Sequence, residues 1–242
     1  MSQASPTFDG DVDPELVPER FRLGPAFIPK GRYLDKEYLE AELDRLFPRT
    51  WLMACRLEEL PGTGSYVEYL IDKISILVVR EGPTSVRAYH NACRHRGTRL
   101  ASGRGRLGSI ICPFHGWRWN LDGSIRLQLD AEEFVPRCEE DLALQEVRCE
   151  TWGGFVFINM DRDAQPLLEY LDPIPTVMAP FGLENMRIRW FKSTVVPCNW
   201  KTVLDAFLEG YHIPGTHPQL NRADRSNDNI ATIKELDTLR SW

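Results

Sequence analysis

A chain of 242 residues, 43% hydrophobic and 26% charged, has room for one large or two small cored domains. Its net charge of −6 gives no basic field to hold nucleic acid or an anionic membrane, and neither is expected as a partner. No stretch approaches the roughly 18 apolar residues of a membrane span, and the N-terminus lacks the apolar core of a secretory signal, so a cytoplasmic protein is expected.

Residues 1–50 read as an arm and a helix. The first part is polar, acidic and proline-containing; behind Asp35, a candidate N-cap, Tyr38, Leu39, Leu43 and Leu46 recur at helical spacing. Over 51–155 the period changes to short β-branched and aromatic runs (YVEYLI, ISILVVR, SIICPF, FVFIN) separated by turn residues, with Asp122-Gly123 as a hairpin signal. This is an all-β domain. Residues 156–242 open a second, α+β domain: a Pro-punctuated stretch with short helical pieces, then RIRWFKSTVV as a strand and NWKTVLDAFLEGYHI as a helix stopped by Pro214.

The six cysteines are scattered through the chain and do not form a disulfide framework. Two of them belong to a spaced set. Cys93-x-His95 is followed, after sixteen residues, by Cys112-x-x-His115. Two loops that each offer a thiolate and an imidazole can hold a pair of irons asymmetrically, sulfur on one and nitrogen on the other. A tetrahedral zinc site uses the same ligand types, but its motifs usually pair like with like. Here each loop is mixed, and each histidine lies beside a glycine (Arg96-Gly97, Gly116-Trp117) that lets backbone approach a cluster.

These loops resemble those of the Rieske family, which read Cys-x-His-Arg-Gly and Cys-x-x-His-Gly-Trp. The resemblance implies a [2Fe–2S] cluster bound by Cys93, His95, Cys112 and His115. Neither loop carries the extra cysteine of the respiratory Rieske proteins, which points to the oxygenase and ferredoxin branch. Arg94, Arg96 and Arg99 read as a solvated basic rim, with docking of an acidic electron donor as the sharper reading, and His90 reads as structural.

Of five histidines, the two beyond the β domain lie together at His212 and His217. On one helix Asp205, Glu209 and His212 would share a face at i, i+4 and i+7. Two imidazoles and a carboxylate can form the facial triad of a non-haem Fe(II) site, although two nearby histidines alone are equally a core histidine and a helix-end one. The stretch resembles the catalytic α subunit of Rieske non-haem iron ring-hydroxylating oxygenases. By that resemblance His212 and His217 bind a mononuclear Fe(II). Glu209 takes the place of the carboxylate, usually Asp, that bridges one subunit's Rieske histidine to its neighbour's iron histidine, and Asp205 orients the ligands.

The resemblance implies an α+β fold: an all-β Rieske domain, then the incomplete start of a helix-grip catalytic domain, because the family's third iron ligand is a later Asp that Asp224, Asp228 and Asp237 do not match. On the same footing weak iron and doubtful hydroxylation are expected of this chain alone. The implied activity is that of a terminal oxygenase, fed by a ferredoxin or flavin reductase and using O₂ on an aromatic or related apolar substrate, in a homotrimer or α/β-subunit assembly. The alternatives are a Rieske electron carrier without catalysis, a zinc-stabilised binding module, and an oxygenase acting on a quaternary ammonium substrate, as in some relatives with Glu at that position.

Overall fold

A computed structural model describes residues 28–135, 138–208, 210 and 212–217. It divides into two compact units, Glu40–Lys192 and a second drawn from Met1–Leu39 and Ser193–Trp242. Among the described residues helix α1 (Gly31–Leu34) comes first, then α2 (Lys36–Arg45). Asp35 separates them with extended dihedrals, and its carbonyl accepts from Leu39 N at 3.3 Å. It therefore stands where the N-cap of the expected helix belongs.

The larger unit is built on an antiparallel sheet. Its strands are β1 (Leu52–Arg56), β2 (Ser65–Ile71), β3 (Ile74–Arg80), β4 (Val86–His90), β5 (Arg104–Arg106), β9 (Glu146–Trp152) and β10 (Phe155–Asn159), in the order β1-β10-β9-β4-β3-β2-β5. A second sheet contains β6 (Ile110–Ile111), β7 (Arg118–Trp119) and β8 (Ile125–Leu127).

The near-continuous apolar run of β3 follows from its place in the larger sheet. Successive side chains point to opposite faces, so Ile76 and Val78 enter one core with Cys55, Leu60, Val67 and Val156, while Leu77 and Val79 enter another with Tyr89, Cys93, Ile110, Cys112 and Trp119. The sheet thus separates these two cores, and one of them contains both motif cysteines; Trp51, Phe157 and Leu167 form a smaller third. The expected Asp122-Gly123 hairpin joins β7 to β8. Gly123 sits at φ +84°, and a Cβ there would lie 2.6 Å from the Tyr89 ring.

After β10 come the short helices α4 (Leu167–Leu171) and α5 (Ile174–Met178), following α3 (Glu139–Leu142) earlier in the chain. The strand expected for RIRWFKSTVV does not form: residues 187–196 carry no ladder among the described residues and are exposed. A β-rich composition alone cannot supply the partner whose hydrogen bonds make a strand.

In the second unit Asn199 caps α6 (Trp200–Leu208), its side-chain oxygen accepting from Lys201 N at 3.1 Å. The described residues of this helix run to Leu208 and Gly210 lies outside it, so it does not reach His212 as the sequence pattern suggested. Pro214 does not stop it; this residue sits in the first turn of a further short helix, α7 (Ile213–Thr216), where a missing N–H costs nothing. No helix among the described residues is long and apolar enough to cross a membrane.

Candidate functional site

The two Cys/His loops are close structural twins. Cys93 N donates to Thr98 O at 2.8 Å and Gly97 N to Cys93 O at 2.9 Å; Cys112 N donates to Trp117 O at 2.8 Å and Gly116 N to Cys112 O at 3.1 Å. Gly97 and Gly116 have φ of +75° and +74°, with open space where a Cβ would be. Their requirement is therefore conformational: the left-handed turn costs a side-chain-bearing residue about 1–2 kcal/mol.

Within this common frame the histidine is the second residue after Cys93 but the third after Cys112, and the offset brings the imidazoles together. The Nδ1 atoms of His95 and His115 are 3.2 Å apart. Both cysteines are buried, His95 is half-buried and His115 is exposed. Burial raises the Cys93 thiol above its ordinary value, and the adjacent Cys112 thiol raises it further. Burial lowers the His95 imidazole, aided by the charges of His115 and Arg96.

The donors thus form a thiol pair on the core side and an imidazole pair toward solvent. Two nitrogens 3.2 Å apart can share one metal ion at roughly 2.0–2.1 Å from each. Among the described residues no three His, Cys, Asp or Glu side chains gather round one point, as a tetrahedral zinc would require. The donor set fits two irons, one of which the thiols would hold and the other the imidazoles.

Aromatic packing holds the imidazole pair. Trp117 is buried and stacks on His95 at 5.1 Å with 10° between planes, and Phe134 meets both rings edge-on at 5.5 Å. Phe134 carries no periodic signal in the sequence, and only its contacts identify it. The basic rim is less uniform than expected. Arg96 is exposed, Arg94 donates to Asp141 O at 3.0 Å through Nη2, and Arg99 pairs with the buried Glu68 at 3.4 Å. His90 lies half-buried on β4, its imidazole lowered by burial and by the charge of Arg162.

In the second unit His212 and His217 flank α7 as its N- and C-caps, with ring centroids 5.3 Å apart and planes at 75°. This differs from the expected single helix face, since His212 is not on α6. The short helix brings the two rings together instead. Asp205, on α6, accepts a 2.7 Å hydrogen bond from the Tyr33 hydroxyl, which is the first cause of the raised Tyr33 pKa. Nearby, the Lys201 ammonium lies 5.1, 5.3 and 5.9 Å from the ring centroids of Trp200, Tyr38 and Tyr33. Glu209, Asp224, Asp228 and Asp237 lie outside the described residues.

Comparison with known proteins gives two family matches: the Rieske [2Fe-2S] domain over residues 50–138, and the ring hydroxylating alpha subunit (catalytic domain) over 180–238. The chain is 31% identical to the glycine betaine monooxygenase oxygenase subunit of Pseudomonas aeruginosa (strain UCBPP-PA14), covering 80% of this chain and 45% of that one. It is 33% identical to the carnitine monooxygenase oxygenase subunit of Escherichia coli (strain K12), covering 90% and 58%. Among solved structures, a quaternary ammonium Rieske monooxygenase in complex with L-carnitine matches with a TM-score of 0.76 at 28% identity, over 81% of this chain and 57% of that one. The chain spans about half the length of the curated relatives it matches.

Proposed function

The chain belongs to the Rieske oxygenase α subunits, and from that premise we propose that it serves as the terminal oxygenase component of a multicomponent system. Cys93 and Cys112 would hold one iron of the cluster and His95 and His115 the other; His212 and His217 would hold the mononuclear iron. When bound, the cluster supplies single electrons and the mononuclear iron activates dioxygen. The observation that carries this reading is the sorting of four donors into a buried thiol pair and an outward imidazole pair.

The residues of the chain set the path. The half-buried and exposed imidazoles would face an electron donor, a ferredoxin or flavin reductase, with Arg96 on the rim. Trp117 and Phe134 keep the His95 ring from turning. Glu209 would link the cluster of one subunit to the iron histidine of the next in a cyclic trimer. Asp205, itself held by Tyr33, would orient the iron ligands. The cytoplasm, with its reduced thiols, suits a protein whose six cysteines are all unpaired.

For the substrate, a quaternary ammonium compound is favoured. The glycine betaine and carnitine enzymes are relatives at 31% and 33% identity, and the family resemblance links Glu at position 209 to such substrates. An aromatic substrate is the competing reading, suggested by the ring-hydroxylating family match. The test is to reduce the protein anaerobically with NADH and a flavin reductase, admit ¹⁸O₂, and follow glycine betaine, carnitine, choline and naphthalene by mass spectrometry. Bleaching of the cluster and ¹⁸O in a product from an ammonium substrate support the proposal. Bleaching with every substrate unchanged, in protein holding three irons per chain, would assign the chain to electron transfer alone.

A further inference from the structure

The two ligand loops are closed at their bases in different ways. The Cys112–His115 loop is closed by a backbone ladder, with Ile110 opposite Trp119 and Ile111 opposite Arg118. The Cys93–His95 loop leaves β4, and its return segment, residues 97–103, belongs to no strand among the described residues. Something other than a ladder must fix it, and the structure shows a buried side chain at that place.

Asn91 is 4% exposed and uses its amide fully. Its Nδ2 donates to Ala101 O at 2.7 Å and Ser75 Oγ at 2.9 Å, and its Oδ1 accepts from Leu100 N and Ala101 N, both at 3.1 Å. Behind it, Ser75 Oγ donates to Glu68 Oε1 at 2.7 Å, and Glu68 Oε2 accepts from Gly103 N at 2.9 Å. The Glu68 side chain is 4% exposed and its charge partner among the described residues is Arg99, at 3.4 Å and itself 53% exposed. A carboxylate with little exposed side-chain surface thus sits behind the return segment of this ligand loop, incompletely screened.

We infer that Asn91, Ser75 and Glu68 are positioning residues of the cluster: Asn91 replaces the missing ladder and fixes the Cys93 loop, and the Glu68 charge lowers the reduction potential. This rests on the Rieske reading of the site. Glu68 touches none of the four donors and acts through Asn91 and the loop backbone. A fixed negative charge in a poorly screened interior disfavours adding an electron nearby, so the sign of its effect is determined. Because freeing the loop leaves buried polar groups unpaired, it should speed cluster loss about tenfold, the equivalent of about 1.4 kcal/mol.

The experiment compares the cluster-loaded chain with Asn91→Ala, Ser75→Ala and Glu68→Gln, using Ile158→Ala, in the other core, as a control for general destabilisation. Bleaching in a chelator, the midpoint potential and the EPR spectrum of the reduced protein are read for each. The inference expects about tenfold faster bleaching in Asn91→Ala than in the control and a higher potential in Glu68→Gln. Should Asn91→Ala fail to fold, Ser75→Ala, which removes one hydroxyl, is expected to show the faster bleaching in smaller measure. Bleaching equal to the control, with potential and spectrum unchanged in Glu68→Gln, overturns the inference and leaves the Rieske reading intact. A wild-type chain that takes up no cluster overturns both.

Discussion

Replacing Trp117 by alanine tests how firmly the imidazole pair is held. The indole is buried, stacks on His95, meets Phe134 edge-on and lies 6.3 Å from the Trp119 ring. Truncating a buried aromatic costs about 3–5 kcal/mol through lost transfer energy and the cavity left behind. At about 2–4 °C per kcal/mol for a protein of this size, the midpoint of thermal unfolding should fall by about 6–20 °C. Trp117→Phe keeps a ring between His95 and Phe134 and so retains part of the roughly 0.5–1.5 kcal/mol that each aromatic pair contributes beyond its area. Melting the cluster-loaded variants side by side gives the order wild type, Phe, Ala. The visible circular dichroism of the cluster should weaken in the same order as His95 gains freedom. A fall of less than 2 °C in the alanine variant, with unchanged dichroism, would refute the packing argument.

Gly116→Ala meets no atom and should cost only the about 1–2 kcal/mol of its left-handed backbone, whereas Gly123→Ala also drives a methyl into Tyr89, so denaturant titration should find Gly123→Ala the less stable of the two. Burial pushes the Glu68 carboxyl up, but hydrogen bonds from Ser75, Gly103 and Asn91 and the charge of Arg99 together hold it below its ordinary value. A lowered folded-state pKa means that its stabilisation is present above the unfolded value of about 4.3 and is lost as pH falls through the lower folded one. The gap in melting temperature between wild type and Glu68→Gln should therefore close on acidification; a gap constant from pH 7 to pH 3 would contradict this. For the Tyr33 and Asp205 pair, a double-mutant cycle of Tyr33→Phe and Asp205→Asn should give a coupling of about 0.5–1.5 kcal/mol, and zero coupling would show that the hydrogen bond is not formed in solution.

The two mixed Cys/His loops were legible because residue type and spacing are fixed together, with glycine where the turn needs positive φ. The alternation of apolar residues likewise gave the all-β domain. What the sequence concealed depended on partners distant along the chain. Glu68 lies in YVEYLI, where an acidic residue between apolar ones looks like the wet face of a strand, and only Ser75, Asn91 and Gly103 make it a buried group. Residues 187–196 have strand composition but no neighbouring strand among the described residues. His212 and Asp205 fit one helical face on paper, yet Gly210 lies outside any helix and His212 is the N-cap of α7 rather than part of α6. Tyr33 could not be linked to Asp205 across 172 positions by any local pattern.

The sorting of ligands between two irons can be measured directly. Pulsed EPR of the reduced protein, with ¹⁵N placed in histidine, should show hyperfine coupling from two imidazole nitrogens on one paramagnetic centre, lost in stages in His95→Cys and His115→Cys, with two irons and two sulfides per cluster. An EPR-silent protein containing one zinc per chain and no acid-labile sulfide would contradict the account at its foundation.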